Sequence, residues 1–199
     1  MSDIQKKQGK FYNSIQPYLH FIDNGLLFRT PFGWLYIFMA IFNLLIPIYM
    51  LIEAWNNQLF RLLEFKYIAV FIIIWILIAV VSWIGFQIWW NRKYDVIKTY
   101  SEGDEFVATP VFAHFVQTLG EWLGTWIGIV GFSVSLVATL FLGSEGKYML
   151  QTVGLDFMDT GFLFVILMPV YGFVIVVFSR FLAEQFRALT TIANNTKRK

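Results

Sequence analysis

Apolar residues run along this chain in four long blocks, at residues 32–52, 67–90, 120–142 and 162–179. None of the blocks contains Lys, Arg, Asp, Glu or His, apart from Glu121 at the edge of the third. The hydrocarbon core of a bilayer is roughly 30 Å thick and a helix rises about 1.5 Å per residue, so an uncharged apolar run of about 18 residues or more marks a membrane-spanning helix. The pattern predicts an all-α integral membrane protein with four transmembrane helices, built as a single membrane domain over residues 1–199.

The block edges carry their own signals. Thr30-Pro31 opens the first, since threonine caps helices and proline suits a first turn. Trp89-Trp90-Asn91-Arg92-Lys93 closes the second, with indoles for the headgroup level and cations for water. Gly143-Ser144-Glu145-Gly146 ends the third as a turn, and Arg180 ends the fourth. Past Arg180 the helix is expected to continue through Glu184 and Arg187, as an extension and basic tail over 180–199. Amphipathic segments precede the first and third spans. Phe11, Ile15, Tyr18, Leu19 and Ile22 share one helical face within the N-terminal stretch 1–31. Val111, Phe112, Phe115, Val116 and Leu119 follow Thr109-Pro110 in the same manner.

Composition supports this class. Only 14% of residues are charged, against about 25% in soluble domains. So little charge cannot cover a water-facing surface, and lipid must cover the rest. The chain has no cysteine, which excludes disulfides, thiolate metal sites and cysteine nucleophiles. A net charge of +2 gives no reason to expect nucleic acid as a partner. The distribution of charge says more. Twelve of the 15 Lys and Arg residues lie before the first span, between the second and third, or after the fourth. The positive-inside rule then places both termini in the cytoplasm, with the spans in the inner (plasma) membrane.

Candidate chemistry is sparse. Gly120, Gly124 and Gly128 repeat at four-residue steps, with Gly131 and Ser135 continuing nearby, in a glycine-zipper pattern. Small residues at this spacing let another helix approach closely, as an internal packing face or as a partner interface. Asn43 and Pro47 share a face of the first span. Proline frees the carbonyl one turn back and kinks the helix, so an intramembrane polar pocket is one reading of this pair. Arg180, Glu184 and Arg187 lie on one face of the cytoplasmic extension, as a docking ladder or a solvated ion-pair ladder. His20 and His114 are too few for a transmembrane haem or a zinc site, so no cofactor, metal or catalytic residue is expected. A glycine-rich phosphate loop, a Gly-x-Ser-x-Gly elbow and a His-Glu-x-x-His motif are all missing.

The leading expectation is a non-catalytic accessory, scaffolding or assembly subunit, with membrane lipids and other integral membrane proteins, or a second copy of itself, as partners. One alternative is a small oligomeric transporter or channel for a neutral or lipid-like solute, which needs a wet cavity near Asn43. Another is an interfacial lipid- or quinone-handling enzyme. Its polar groups would have to come from Glu121, His114, Asp104 and Glu105.

Overall fold

The computed structural model describes residues 26–98, 108–147 and 161–197, together with Gln16. The N-terminal amphipathic stripe, His20, Asp104 and Glu105 lie outside the described residues. Every regular element among the described residues is helical: α1 (Leu26–Asn56), α2 (Leu59–Leu62), α3 (Phe65–Lys98), α4 (Ala108–Thr125), a π-helical turn (Trp126–Val130), α5 (Gly131–Phe141), a 3-10 turn (Gly143–Glu145) and α6 (Phe162–Lys197). Helix α4, the π-turn and α5 form one continuous third rod. Four stretches are long and apolar enough to cross a bilayer: Thr30–Asn56, Phe65–Val96, Ala108–Phe141 and Phe162–Thr196.

The rods are longer than the apolar blocks. Helix α1 begins at Leu26, so Pro31 lies inside it rather than at its first residue. The amphipathic segment expected before the third span is the start of α4 and runs unbroken into the span. Its apolar face is used in part for packing: Val111 is buried and Phe115 and Leu119 pack beside it, while Phe112 stays exposed. Turns fall where side chains permit them. Gln58 takes a left-handed backbone at φ 52° between α1 and α2. Gly143, at φ 57°, ends the third rod, a conformation glycine adopts without steric cost.

The helices pack in a layered order. Helix α1 lies along α3, and α6 lies along the third rod, while α3 joins the two pairs by packing on α4 and α5. One apolar core lies between α3 and the far half of the third rod, around Val70, Ile74, Ile78, Val81, Val130 and Val134. A second gathers Tyr36, Ala40, Trp89, Val96 and Val111 near the opposite end. The flanking helices turn large apolar side chains outward, among them Trp34, Phe38, Leu45 and Tyr49 on α1 and Leu163, Ile166 and Phe173 on α6. An apolar surface of this extent is unstable in water and is what a lipid environment requires.

Ion pairs tie α3 to the 3-10 turn just past the third rod at one end and to the rod itself at the other. At one end Lys66 Nζ lies 3.7 Å from Glu145, whose carboxylate also accepts from the Tyr67 hydroxyl at 2.7 Å. At the other end Arg92 pairs with Glu121 at 2.5 Å. The two collars stand roughly 36–39 Å apart along the helices at about 1.5 Å per residue, which brackets a bilayer core of about 30 Å.

Candidate functional site

Three groups of side chains hold polar chemistry within the apolar frame. The first is the small-residue seam. All of its glycines face α6, which runs antiparallel to the third rod. A Cβ on Gly120 would collide with the Ser179 hydroxyl. One on Gly124 would lie 2.5 Å from the Gly172 carbonyl oxygen, and one on Gly131 would lie 2.9 Å from Cγ and Sδ of Met168. Gly128 is less tight, with Gly172 Cα at 3.6 Å. Further along, Thr139 Oγ1 accepts from the Gly161 backbone N–H at 2.7 Å. Ser135 is buried. The predicted stripe is thus used within the chain, with Gly172 the backbone partner of Gly124 and Gly128. A Cβ there would fall 2.7 Å and 2.8 Å from the Gly128 Cα and N. Gly172 is the sole glycine in the fourth apolar block, and that was the available signal.

The second group surrounds Asn43, which is fully buried. Its amide Oδ1 accepts from the indole N–H of Trp122 at 2.7 Å and of Trp126 at 3.2 Å. Its Nδ2 donates to the Met39 carbonyl at 2.7 Å. Gly85 on α3 makes room for this arrangement, since a Cβ there would overlap the Asn43 amide. The polar face expected at Asn43 and Pro47 is therefore occupied by tryptophan. Trp75 completes it, donating to the Pro47 carbonyl at 2.8 Å.

The third group is centred on Glu121. Its carboxylate is only 12% exposed and receives three donors besides the Arg92 pair described above. Arg180 reaches Oε1 through Nη2 at 2.8 Å and Nε at 3.0 Å. Gln117 Nε2 donates to the same oxygen at 3.0 Å. Arg187 donates to Gln117 Oε1 at 2.5 Å. The cationic members of the predicted ladder thus reach across to the third rod, while Glu184 between them is exposed. Close by, Lys93 is buried with its amine 3.1 Å from the Trp90 ring centroid, a cation–π contact. The Tyr36 hydroxyl donates to Thr118 at 3.0 Å, and Thr118 donates to the His114 carbonyl at 2.8 Å. Both Glu121 oxygens are committed to cations and an amide, which makes this group a structural knot. The sequence marks Glu121 as an edge charge, but it does not say that α3 and α6 both converge on it.

Recesses lie beside these groups among the described residues. One of about 600 Å³ lies at the Lys66–Glu145 end, among Trp55, Asn56, Gln58, Phe60 and Arg61. Another, of about 480 Å³, lies between the third rod and α6, over Gly124, Gly128 and Gly172. No protein-family model matches the chain, and no curated protein or solved structure is significantly similar to it.

Proposed function

We propose that the protein is a non-catalytic accessory subunit of a membrane complex, held in the inner (plasma) membrane by its four spans, with both termini cytoplasmic. One observation carries this reading: the helices overshoot the bilayer and remain packed together beyond it. Helix α6 has 36 residues, about 54 Å at 1.5 Å per residue, against a core of about 30 Å. Beyond the Glu121 knot, α3, α4 and α6 keep Val96, Val111, Ala113, Ala183 and Thr190 buried. Phe112 meets Phe186 edge-on at 5.7 Å. Such a rigid platform suits docking, and α6 presents Leu189 and Ile192 on it, each 62% exposed. These two face the aqueous side, where an apolar pair points to a protein contact. The glycine-zipper seam and the knot serve to hold α6 at a set angle.

The occupant of this face is another integral membrane protein of the complex. Leu189→Glu combined with Ile192→Lys is expected to remove a co-purifying partner in mild detergent, while the melting temperature changes by no more than about 1–2 °C, as for surface substitutions. Retention of every co-purifying protein by the folded double variant would rule out this docking face. Orientation has its own test. The chain lacks cysteine, so single-cysteine variants report cleanly. Asn57→Cys, at an exposed position, is expected to react with an impermeant maleimide from outside the cell, and Gly103→Cys only after lysis. The reverse pattern would invert the topology.

A further inference from the structure

We propose that the groove between the third rod and α6 binds one anionic phospholipid, with its phosphate at Arg180 and an acyl chain lying over the glycine seam. The groove exists because Gly124, Gly128 and Gly172 bring two backbones together without side chains, while Ile129, Phe132 and Phe173 stand up beside them as walls. Those three side chains are 43%, 38% and 68% exposed, so the groove opens sideways to lipid. Its volume of about 480 Å³ is within the roughly 300–1,000 Å³ of small-ligand sites.

The charge at one end of the groove selects its occupant. Val176 and Thr125 form the groove's end. Arg180 lies one helical turn beyond Val176, and Glu121 one turn beyond Thr125, so the apolar trough leads to the guanidinium on the same helical stripes. Glu121 engages Nε and Nη2 of Arg180. The side chain nevertheless stays 55% exposed, leaving the other terminal nitrogen to donate to a phosphate. Among the described residues around the knot, the cations Arg92, Lys93, Arg180 and Arg187 outnumber the carboxylates Asp95, Glu121 and Glu184. Basic pockets between transmembrane helices at the headgroup level are the chemistry that recognises anionic lipids. A zwitterionic lipid brings a compensating ammonium and gains less. The proposal is independent of the docking face on Leu189 and Ile192, which lies beyond the knot.

The test uses the full chain purified in mild detergent, with lipid retained per chain read by native mass spectrometry. Wild type is expected to keep one dioleoylphosphatidylglycerol, with about ten-fold preference over dioleoylphosphatidylcholine, whose ammonium offsets the attraction of its phosphate to the cations. Arg180→Gln should erase that preference. Ile129→Trp, which fills the trough and leaves the cations in place, should lower retention of both lipids about ten-fold. Millimolar inorganic phosphate should displace neither. Equal retention of the two lipids by wild type would overturn the proposal, as would an unchanged preference in folded Arg180→Gln. Displacement by phosphate would reduce the site to a plain anion site and refute the acyl-chain part. If Arg180→Gln fails to fold, Ile129→Trp decides alone, and unchanged retention in that variant refutes the groove.

Discussion

Leucine at position 124 is expected to cost about 3 kcal/mol or more, at the upper end of overpacking penalties in a tight core. The reason is that its neighbours are backbone. A Cβ at Gly124 already falls 2.5 Å from the Gly172 carbonyl oxygen, and a main chain tied into helical hydrogen bonds cannot rotate aside as a side chain does. Lipid offers no hydrophobic compensation, since it competes equally for apolar surface. Gly172→Ala should also be severe, because its added methyl meets the Gly128 backbone at 2.7 Å. Gly128→Ala should be mild, as its methyl would sit 3.6 Å from the nearest atom, an ordinary contact. Leu140→Phe, at a position 60% exposed, is the neutral control. Melting temperatures in one detergent rank the four variants, with the protein's 8 tryptophans as the reporter. A Gly172→Ala protein as stable as Leu140→Phe would mean that the two helices do not meet through this seam.

Asn43→Leu is the second large effect, at about 1–4 kcal/mol. Leucine keeps the same branched skeleton with somewhat bulkier ends, so the loss is chiefly polar. Both indole N–H groups of Trp122 and Trp126 lose their acceptor, and each orphaned buried donor costs about 1–3 kcal/mol. Interhelical hydrogen bonds within membranes average nearer 0.6 kcal/mol, because the unfolded chain also finds partners there. This sets the lower end. The mechanism predicts a rescue: adding Trp122→Phe to Asn43→Leu should cost less than the two single substitutions summed, since the phenyl ring has no N–H to satisfy. Additive losses would show that the amide and the indole are not coupled.

These two sites also mark how far the sequence could be read. The four spans followed from block length and charge, because bilayer thickness imposes a simple rule on a helix. The glycine stripe was visible as well, but its partner was not, since small-residue spacing describes one face of a contact and never names the other. Gly172 and Gly85 stand alone in their blocks, with no spacing to reveal them. Asn43 stood out as an amide in an apolar helix. Trp122 and Trp126 did not, because tryptophan in a membrane protein suits the headgroup level equally well. Past Arg180 the chain leaves the apolar pattern but keeps its helical one. The length of α6 was therefore legible, but the turn of Arg180 and Arg187 toward Glu121 and Gln117 was not. That turn depends on α3 bringing Arg92 to the same carboxylate, a long-range pairing that no local pattern records.

The two charged collars carry a mechanical consequence. Because α3 is paired with Glu121 on the third rod and with Glu145 just past its end, a lengthwise slide would break both pairs, and the two elements are expected to move together as a plank of set height. A bilayer thinner than that height is met by tilting the plank as one body or by deforming the lipid around it, at fractions of a kcal/mol per Å. Helix α6 is fastened along the third rod, and α1 both along α3 and, through Tyr36 and Asn43, to the third rod, so both are expected to follow the plank. The two elements of the plank are therefore expected to respond to membrane thickness as one body, with Lys66–Glu145 and Arg92–Glu121 at its ends.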